Sequence, residues 1–121
     1  MISVRGGNLT INGNGDVIAK ENDCYAIDIC DGGKITINGG NYNGNITAVY
    51  AYEGHATING GSFTIQQLSD YNDYRYLLNL KDANGVNGTA SIEVNGGKAT
   101  RPQSLDAYSI LVRRTFRVRQ P

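Results

Sequence analysis

Tryptophan is absent from this chain, proline occurs twice and histidine once, and no apolar run is long enough to cross a membrane. Residues 1–7 contain no basic segment followed by an apolar stretch of about 7 to 15 residues, so we expect no signal peptide and no membrane contact. The 16 glycines are typical of short strands joined by tight turns. A length of 121 residues fits one domain, so the composition predicts a single-domain all-β protein.

Cysteine is scarce, and this limits the covalent and metal chemistry of the chain. Cys24 and Cys30 are the only two cysteines. If the segment between them is extended, they lie about 20 Å apart and cannot form a disulfide with each other. Two thiols without a second pair or nearby histidines also supply no zinc site. We expect no metal ion and no other cofactor.

The net charge is zero, but the charges are unevenly distributed. Residues 1–100 hold ten acids and six bases, whereas residues 101–121 hold one acid and five arginines. Arg117 and Arg119 alternate with Phe116 and Val118, as on a strand with one solvated face. We therefore predict that residues 101–121 form a capping strand or a basic tail. An anion or nucleic-acid contact is the disfavoured alternative, and we expect no nucleic-acid partner.

Four segments of the chain share one signature, in which alternating apolar and polar residues end in Asn-Gly or Asn-Gly-Gly. They are residues 9–13, 35–40, 56–61 and 92–97. Alternation with a period of two residues indicates a β-strand. The Asn and Gly residues that follow tolerate the positive φ angles of a sharp turn. The inward positions of these strands predict one interior ladder, made of Ile11, Ile37, Ile58 and Val94.

A second strand recurs at residues 26–30, 48–52 and 77–81. Its alternation predicts inward side chains at Ile27, Ile29, Val49, Ala51, Leu78 and Leu80. It predicts outward side chains at Asp28, Cys30, Tyr50, Tyr52, Asn79 and Lys81. A third, weaker apolar element occurs at residues 17–18, at Tyr42 with Ile46, and at residues 63–65.

Three short strands in about 21 residues make one coil of a parallel β-helix, where equivalent residues stack at about 4.8 Å. The sequence therefore predicts an all-β, single-domain parallel β-helix (solenoid) of about four to five coils over residues 1–100. Residues 101–121 would follow as the cap or tail. The step of 36 residues to the last signature is explained by a loop at residues 66–76.

The Thr-Ile-Asn-Gly-Gly runs and the Ala-Val-Tyr-Ala-Tyr-Glu-Gly type of strand resemble the right-handed parallel β-helix proteins, over about residues 4–97. That group includes pectate-lyase-like enzymes, phage tailspikes and bacterial adhesins. The resemblance implies a structural or binding module of a phage tail fibre or surface adhesin, in a virion or at a cell surface. Such a module would self-associate, for example as a trimer, and could bind a cell-surface polysaccharide.

The alternative implied by the same resemblance is a polysaccharide lyase or hydrolase, which works with clustered acids and a basic residue in an outward groove. The matching face here offers one acid, Asp28, and one lysine, Lys81. His55 is expected in an exposed turn, and nothing in the sequence pattern pairs it with Cys30 or with a serine. We therefore predict that the chain has no catalytic residues and is not an enzyme.

Two sets of side chains remain as candidate binding residues. The first set consists of Tyr50, Tyr52, Tyr71, Tyr74, Asp28 and Lys81. Tyrosine suits sugar stacking or protein contact, although Tyr50 and Tyr52 could instead pack under the inserted loop. The second set consists of Asp31, Glu53 and Asp82, which occupy one turn position and could hold Ca²⁺. Hydrated turn acids are the favoured interpretation of this second set, because the spacing follows from the repeat.

Overall fold

The structure is a computed structural model that describes residues 1–21, 24–67 and 77–99. The predicted cap or tail at residues 101–121 and most of the predicted loop at residues 66–76 lie outside the described residues. No helix of the described part is both long and apolar enough to span a membrane.

Short strands make up nearly all of the described chain. In chain order the elements are β1 (Ile2–Arg5), β2 (Asn8–Ile11), β3 (Asp16–Ile18), β4 (Tyr25–Cys30), β5 (Gly33–Ile37), β6 (Asn41–Gly44), β7 (Thr47–Ala51), β8 (Gly54–Ile58), β9 (Ser62–Ile65), β10 (Leu78–Leu80), α1 (Asp82–Asn87), β11 (Ser91–Val94) and β12 (Lys98–Ala99).

The strands form three four-stranded sheets, and every described pairing is parallel. Sheet A contains β1, β4, β7 and β10, sheet B contains β2, β5, β8 and β11, and sheet C contains β3, β6, β9 and β12. Each strand thus pairs with the strand three places further along the chain. We call one passage through sheets A, B and C a circuit. The prediction of an all-β chain with parallel strands is confirmed.

The interior ladder predicted from the repeated signature is also confirmed. Ile11 pairs with Ile37, Ile37 with Ile58, and Ile58 with Val94 in the register of sheet B. Ile37 and Ile58 are fully buried, whereas Ile11 and Val94 at the two ends are partly buried. Stacking like on like keeps the same apolar volume at each level, so each level packs against the next without gaps.

Sheet C adds an aromatic pair to the core. The Tyr42 and Phe63 rings stack with centroids 5.1 Å apart, and the Tyr42 hydroxyl donates a hydrogen bond to the Gly39 carbonyl at 2.5 Å. Burial raises the pKa of Tyr42 above its ordinary value. The inward assignment of Tyr42 in the sequence is therefore correct, and the hydroxyl is satisfied by the corner that precedes it.

The Asn-Gly-Gly corners between sheets B and C give the two glycines different roles. The second glycine of each corner has a positive φ angle, 103° at Gly61 for example, which a residue with a Cβ rarely adopts. The first glycine lies against the previous circuit, since a Cβ at Gly60 would stand 2.6 Å from the Asn38 carbonyl oxygen. The turn geometry expected from the sequence predicted the positive φ angle of the second glycine. It did not predict the close contact of the first glycine with the previous circuit.

Asparagine side chains link the same corners to one another. Asn38 Nδ2 donates to Asn12 Oδ1 at 2.9 Å, Asn59 to Asn38 at 2.8 Å, and Asn95 to Asn59 at 3.0 Å. Each amide therefore donates to its equivalent in the circuit before it. The ladder fixes the register of sheet B at the point where the chain turns.

The helix α1 accounts for part of the long step that the sequence assigned to residues 66–76. It lies between β10 and β11. At the equivalent place in the second and third circuits, a short corner joins the strands of sheets A and B. The helix ends at Gly88, whose φ is 88°, and a Cβ at Gly85 would stand 2.9 Å from the Leu80 side chain. The sequence predicted the loop at residues 66–76, and α1 is a second insertion in the same step.

The two ends of the stack differ in how well the core is covered. Leu9 in the first circuit is 37% exposed, whereas Ile92, at the equivalent position in the last described circuit, is 0% exposed. Leu80, against which α1 packs, is likewise buried. Within the described part of the chain, β1, β2 and β3 each pair on one side only, so this edge presents apolar side chains and strand groups that have no described partner.

We expect Gly60→Ala to lower the free energy of unfolding by about 1–3 kcal/mol, because the new methyl would force the Asn38 carbonyl of the neighbouring circuit away. Denaturant-induced unfolding measures the loss. Gly15→Ala is the matched control, since its Cβ meets nothing within 4 Å and should change stability by less than about 0.5 kcal/mol. Equal losses in both variants would contradict the close-packed corner.

Candidate functional site

The outward side of sheet A carries the densest group of described aromatic and charged side chains. The register aligns Ser3, Asp28, Tyr50 and Asn79 across the four strands. Tyr52 and Lys81 each follow directly after the sheet A strand of their circuit. Because outward residues of neighbouring parallel strands lie about 5 Å apart, these side chains form one continuous surface.

Three tyrosine rings are in contact on this surface. The centroids of Tyr25 and Tyr50 are 4.9 Å apart with planes at 48°, and those of Tyr50 and Tyr52 are 6.2 Å apart with planes at 66°. Both separations fall in the range of favourable aromatic pairs. Tyr52 is 45% exposed, and Tyr25 and Tyr50 are half-buried. The outward prediction for Tyr50 and Tyr52 is confirmed.

Tyr25 was missed by the sequence reasoning. Alternation extended by one residue assigns Tyr25 to the inward side with Ile27. Its contact with the outward Tyr50 ring is therefore visible only in the structure. We define the tyrosine face as Tyr25, Asp28, Tyr50, Tyr52 and Lys81.

The corner after β10 supports one end of the tyrosine face. The Lys81 ammonium lies 6.0 Å from the centroid of the Tyr52 ring, at the outer limit of a cation–π contact. Asn84 in α1 donates through Nδ2 to the Tyr52 carbonyl at 2.5 Å. The inserted helix therefore fixes the backbone from which the most exposed tyrosine projects.

Asp28 is the carboxylate of the tyrosine face, and it is half-buried. Burial raises the pKa of Asp28 above its ordinary value of 3.8, and the Arg5 guanidinium opposes part of this shift. In the register Asp28 lies directly opposite Tyr50. Its oxygens are thus placed beside the rings in a partly dehydrated setting, where an added hydrogen bond is worth more than in water.

Two positions predicted to point outward are buried. Cys30 is 9% exposed and Asn79 is 7% exposed. Both residues lie beside a larger side chain in the register, Cys30 beside Arg5 and Asn79 beside Tyr50. A small side chain beside a large one is shielded from solvent. Burial also raises the pKa of the Cys30 thiol. Alternation gives the direction of a side chain but not its exposure.

The turn carboxylates each stand two residues after an aligned position of sheet A, but the corners that contain them differ in length and shape. Ile29 pairs with Ala51, yet Gly33 pairs with Gly54, so the corner holding Asp31 is one residue longer than the corner holding Glu53. The extra residue places Asp31 at a φ of 55°, and Asp82 begins a helix instead of a tight turn.

Asp31 pairs with a cation rather than with another acid. Its Oδ2 lies 3.8 Å from Arg5 Nη1, and both side chains are about two-thirds exposed, so the ion pair adds little stability. No group of three or more His, Cys, Asp or Glu side chains within residues 1–21, 24–67 and 77–99 could hold a metal ion. The described residues thus give the calcium hypothesis no support.

His55 lies in strand β8 and not in a turn, which corrects the prediction made from the glycine beside it. It points outward from sheet B, half-buried, with Nδ1 2.6 Å from Ser91 Oγ in the next circuit. Sequence spacing could not reveal this contact, because it depends on the pairing of β8 with β11. The pair joins two circuits on a different sheet from the tyrosine face.

The remaining predicted binding residues, Tyr71 and Tyr74, lie outside the described residues. The described residues of the tyrosine face lie in strands and corners of three successive circuits. Its large apolar rings, one carboxylate and one ammonium can stack on a flat apolar ligand surface and exchange hydrogen bonds with polar groups at its rim.

Comparison with known proteins gives one match. A family model described as carbohydrate-binding domain-containing protein matches residues 1–111. The chain matches no curated protein and no solved structure. The matched segment contains all described circuits and the whole tyrosine face.

Asp28→Asn should make the folded chain more stable than the parent as the pH rises. Because burial raises the pKa of Asp28, the folded state holds this proton more tightly than the unfolded state does. The free energy of unfolding therefore falls as the pH rises from 3.8 through the raised folded pKa. Asp28→Asn has no titrating carboxyl at this position, so its free energy of unfolding does not show this decrease.

Thermal unfolding of the parent and of Asp28→Asn between about pH 3 and pH 7 measures the difference. Arg5→Gln is the companion variant, since removing the guanidinium raises the pKa of Asp28 further and enlarges the loss. Parallel profiles for the parent and Asp28→Asn would show that the carboxyl does not titrate differently in the two states.

Proposed function

Because the chain belongs to the family of carbohydrate-binding domain-containing proteins, we propose that it is a glycan-binding module whose binding site is the tyrosine face. We further propose that the three parallel sheets form the predicted solenoid, a parallel β-helix, which serves as the rigid support of that face. The cluster of three contacting tyrosine rings, in which Tyr52 is exposed and the other two are half-buried, is the observation that carries the proposal.

The chemistry of the rings supports a saccharide ligand. A sugar ring has one face of C–H groups, which packs on an aromatic ring, and a rim of hydroxyls, which need hydrogen-bond partners. Tyr52 offers an exposed ring, and Asp28 and Lys81 offer an acceptor and a donor at its side. Strands hold these side chains more rigidly than a loop would, so less entropy is lost on binding.

We propose binding without catalysis. The tyrosine face has one carboxylate, whereas glycoside hydrolysis uses a pair of carboxylates on either side of the scissile bond. The contact between His55 and Ser91 lies on sheet B, which is a separate surface. Polysaccharide lyase or hydrolase activity stays the alternative function.

Three further expectations stay predictions from the resemblance to fibre and adhesin proteins. They are self-association, for example as a trimer, a place in a virion or at a cell surface, and contact with a cell-surface polysaccharide. The open edge at the first circuit is compatible with self-association, since unpaired strand edges pair readily with other chains.

The double variant Tyr50→Ala with Tyr52→Ala should weaken glycan binding about thirtyfold or more, because truncating central aromatic contacts often costs 2 kcal/mol or more. Affinity electrophoresis or calorimetry with the glycan that binds the parent best measures the loss. Circular dichroism should show an intact fold, since both side chains point away from the core.

Thr36→Ala with Thr57→Ala is the matched control, because these residues point outward from sheet B, Thr57 in the circuit of both tyrosines and Thr36 in the circuit before it. It should leave affinity unchanged. Retained glycan binding in the tyrosine variant, or an equal loss in the threonine variant, would place the binding surface elsewhere. An unfolded tyrosine variant would show that the assignment of inward and outward side chains is shifted.

Pure protein should release neither reducing ends nor unsaturated products from polygalacturonate, alginate or a bacterial capsular polysaccharide. The reason is the single carboxylate of the tyrosine face. Colorimetric reducing-end assays and absorbance of unsaturated products measure turnover. Product formation above that of a mock preparation would refute the binding-only proposal and favour the enzymatic alternative.

A further inference from the structure

The charges around the tyrosine face bear on which class of glycan it can bind. Two described cations flank it, Arg5 at the first circuit and Lys81 at the last. Three carboxylates stand on the same face or in the corners beside it, at Asp28, Asp31 and Glu53. Arg5 is already paired with Asp31, so a ligand would meet Lys81 and Asp28 most directly.

Asp28 has the position of a ligand-binding group. It lies directly opposite Tyr50 in the register, and Tyr50 contacts both other rings of the cluster. A sugar stacked on these rings therefore places its hydroxyl rim within reach of the carboxylate. Two oxygens on one planar group can accept from two neighbouring hydroxyls at once.

The half-buried state of Asp28 also fits such a role. A carboxylate whose pKa is raised by burial costs the fold stability at neutral pH. Binding sites commonly keep groups that are unfavourable for folding, because the ligand supplies the missing hydrogen bonds. Hydroxyl donors from a sugar would replace the water that Asp28 loses.

We propose, in an inference that rests on the proposed function, that the glycan bound by the tyrosine face is a neutral saccharide. Two adjacent hydroxyls of this sugar donate hydrogen bonds to the Asp28 carboxylate. The rings of Tyr50 and Tyr52 pack against the apolar face of the sugar, and Asp28 accepts hydrogen bonds from the hydroxyls at its edge. The ammonium of Lys81, which is 6.0 Å from the centroid of the Tyr52 ring, donates to a sugar oxygen at the other side.

An acidic glycan fits this surface poorly. Its carboxylates or sulfates would approach Asp28 at close range, with Asp31 and Glu53 nearby, and like charges in a partly dehydrated site repel strongly. Lys81 is the one described cation of the face that is not already in an ion pair with a carboxylate within residues 1–21, 24–67 and 77–99. With Arg5 paired to Asp31, the single ammonium of Lys81 does not offset the two remaining carboxylates, Asp28 and Glu53.

The test measures the affinity of the full chain for two panels of oligosaccharides. The neutral panel contains gluco-, manno- and galacto-oligosaccharides, and the charged panel contains oligogalacturonate, alginate oligomers and chitosan oligomers. We expect binding from the neutral panel only, with an affinity that changes less than about twofold between low and high salt, since no ion pair is formed.

Asp28→Asn should weaken binding of the best neutral ligand about tenfold or more, because an amide offers one acceptor oxygen where the carboxylate offers two charged ones. Asp16→Asn is the matched control, as Asp16 is an exposed carboxylate on sheet C, and it should leave affinity unchanged. Thermal unfolding of both variants confirms that the fold is retained.

The outcomes separate this proposal from the proposed function on which it rests. Preference for an acidic or amino glycan overturns the neutral assignment, and so does tight neutral binding that Asp28→Asn leaves unchanged. In either case the loss of binding in Tyr50→Ala with Tyr52→Ala would still uphold the tyrosine face. Absence of binding from both panels overturns the proposed function itself.

Discussion

The close approach of successive circuits at the corners between sheets B and C is the constraint on which the rest of the structure depends. The first glycine of each corner lies against a carbonyl of the circuit before it, as Gly60 does against Asn38. No side chain larger than a hydrogen fits there, so the backbones meet at strand spacing and the ladder of asparagine amides can form. The register set at this corner aligns the strands of sheet B and sheet C on either side of it.

The corners between sheets A and B also end at stacked glycines, since a Cβ at Gly54 would clash with the Gly33 carbonyl of the circuit before it. The differences between circuits are concentrated in the residues just before these glycines. One corner carries an extra residue at Asp31, and another grows into α1. Both changes lie at the rim of the tyrosine face, where they bring Arg5 to Asp31 and Asn84 to the Tyr52 carbonyl. A uniform corner thus supplies the scaffold, and a variable corner shapes the surface beside the candidate site.

Sequence periodicity predicted the interior well, because a residue type that must fill the same space in each circuit recurs visibly. The ladder through Ile37 and Ile58 is the clearest case. Corner length was not predictable, since one added residue leaves the alternation on both sides intact. The burial of Cys30 and the contact of His55 with Ser91 also escaped prediction, because they depend on which side chains stand in the neighbouring strands. Four of the five residues of the tyrosine face followed from alternation, and Tyr25 required the contact between rings.

Because the register is fixed, the described stack consists of circuits whose equivalent residues occupy equivalent positions, and one circuit is the unit by which the stack grows. Asn59 bonds to its equivalent Asn38 across 21 residues of chain, so a splice from Ile37 to Asn59 would join two positions that already have the same surroundings. Removing that unit would take Tyr50 and Tyr52 with it, and duplicating it would add a second pair one step further along the stack. A change in the number of repeat units therefore lengthens or shortens the aromatic surface by a fixed distance and leaves the contacting side chains the same. Selection on repeat number alone can thus match the length of this surface to the repeat length of a polymer.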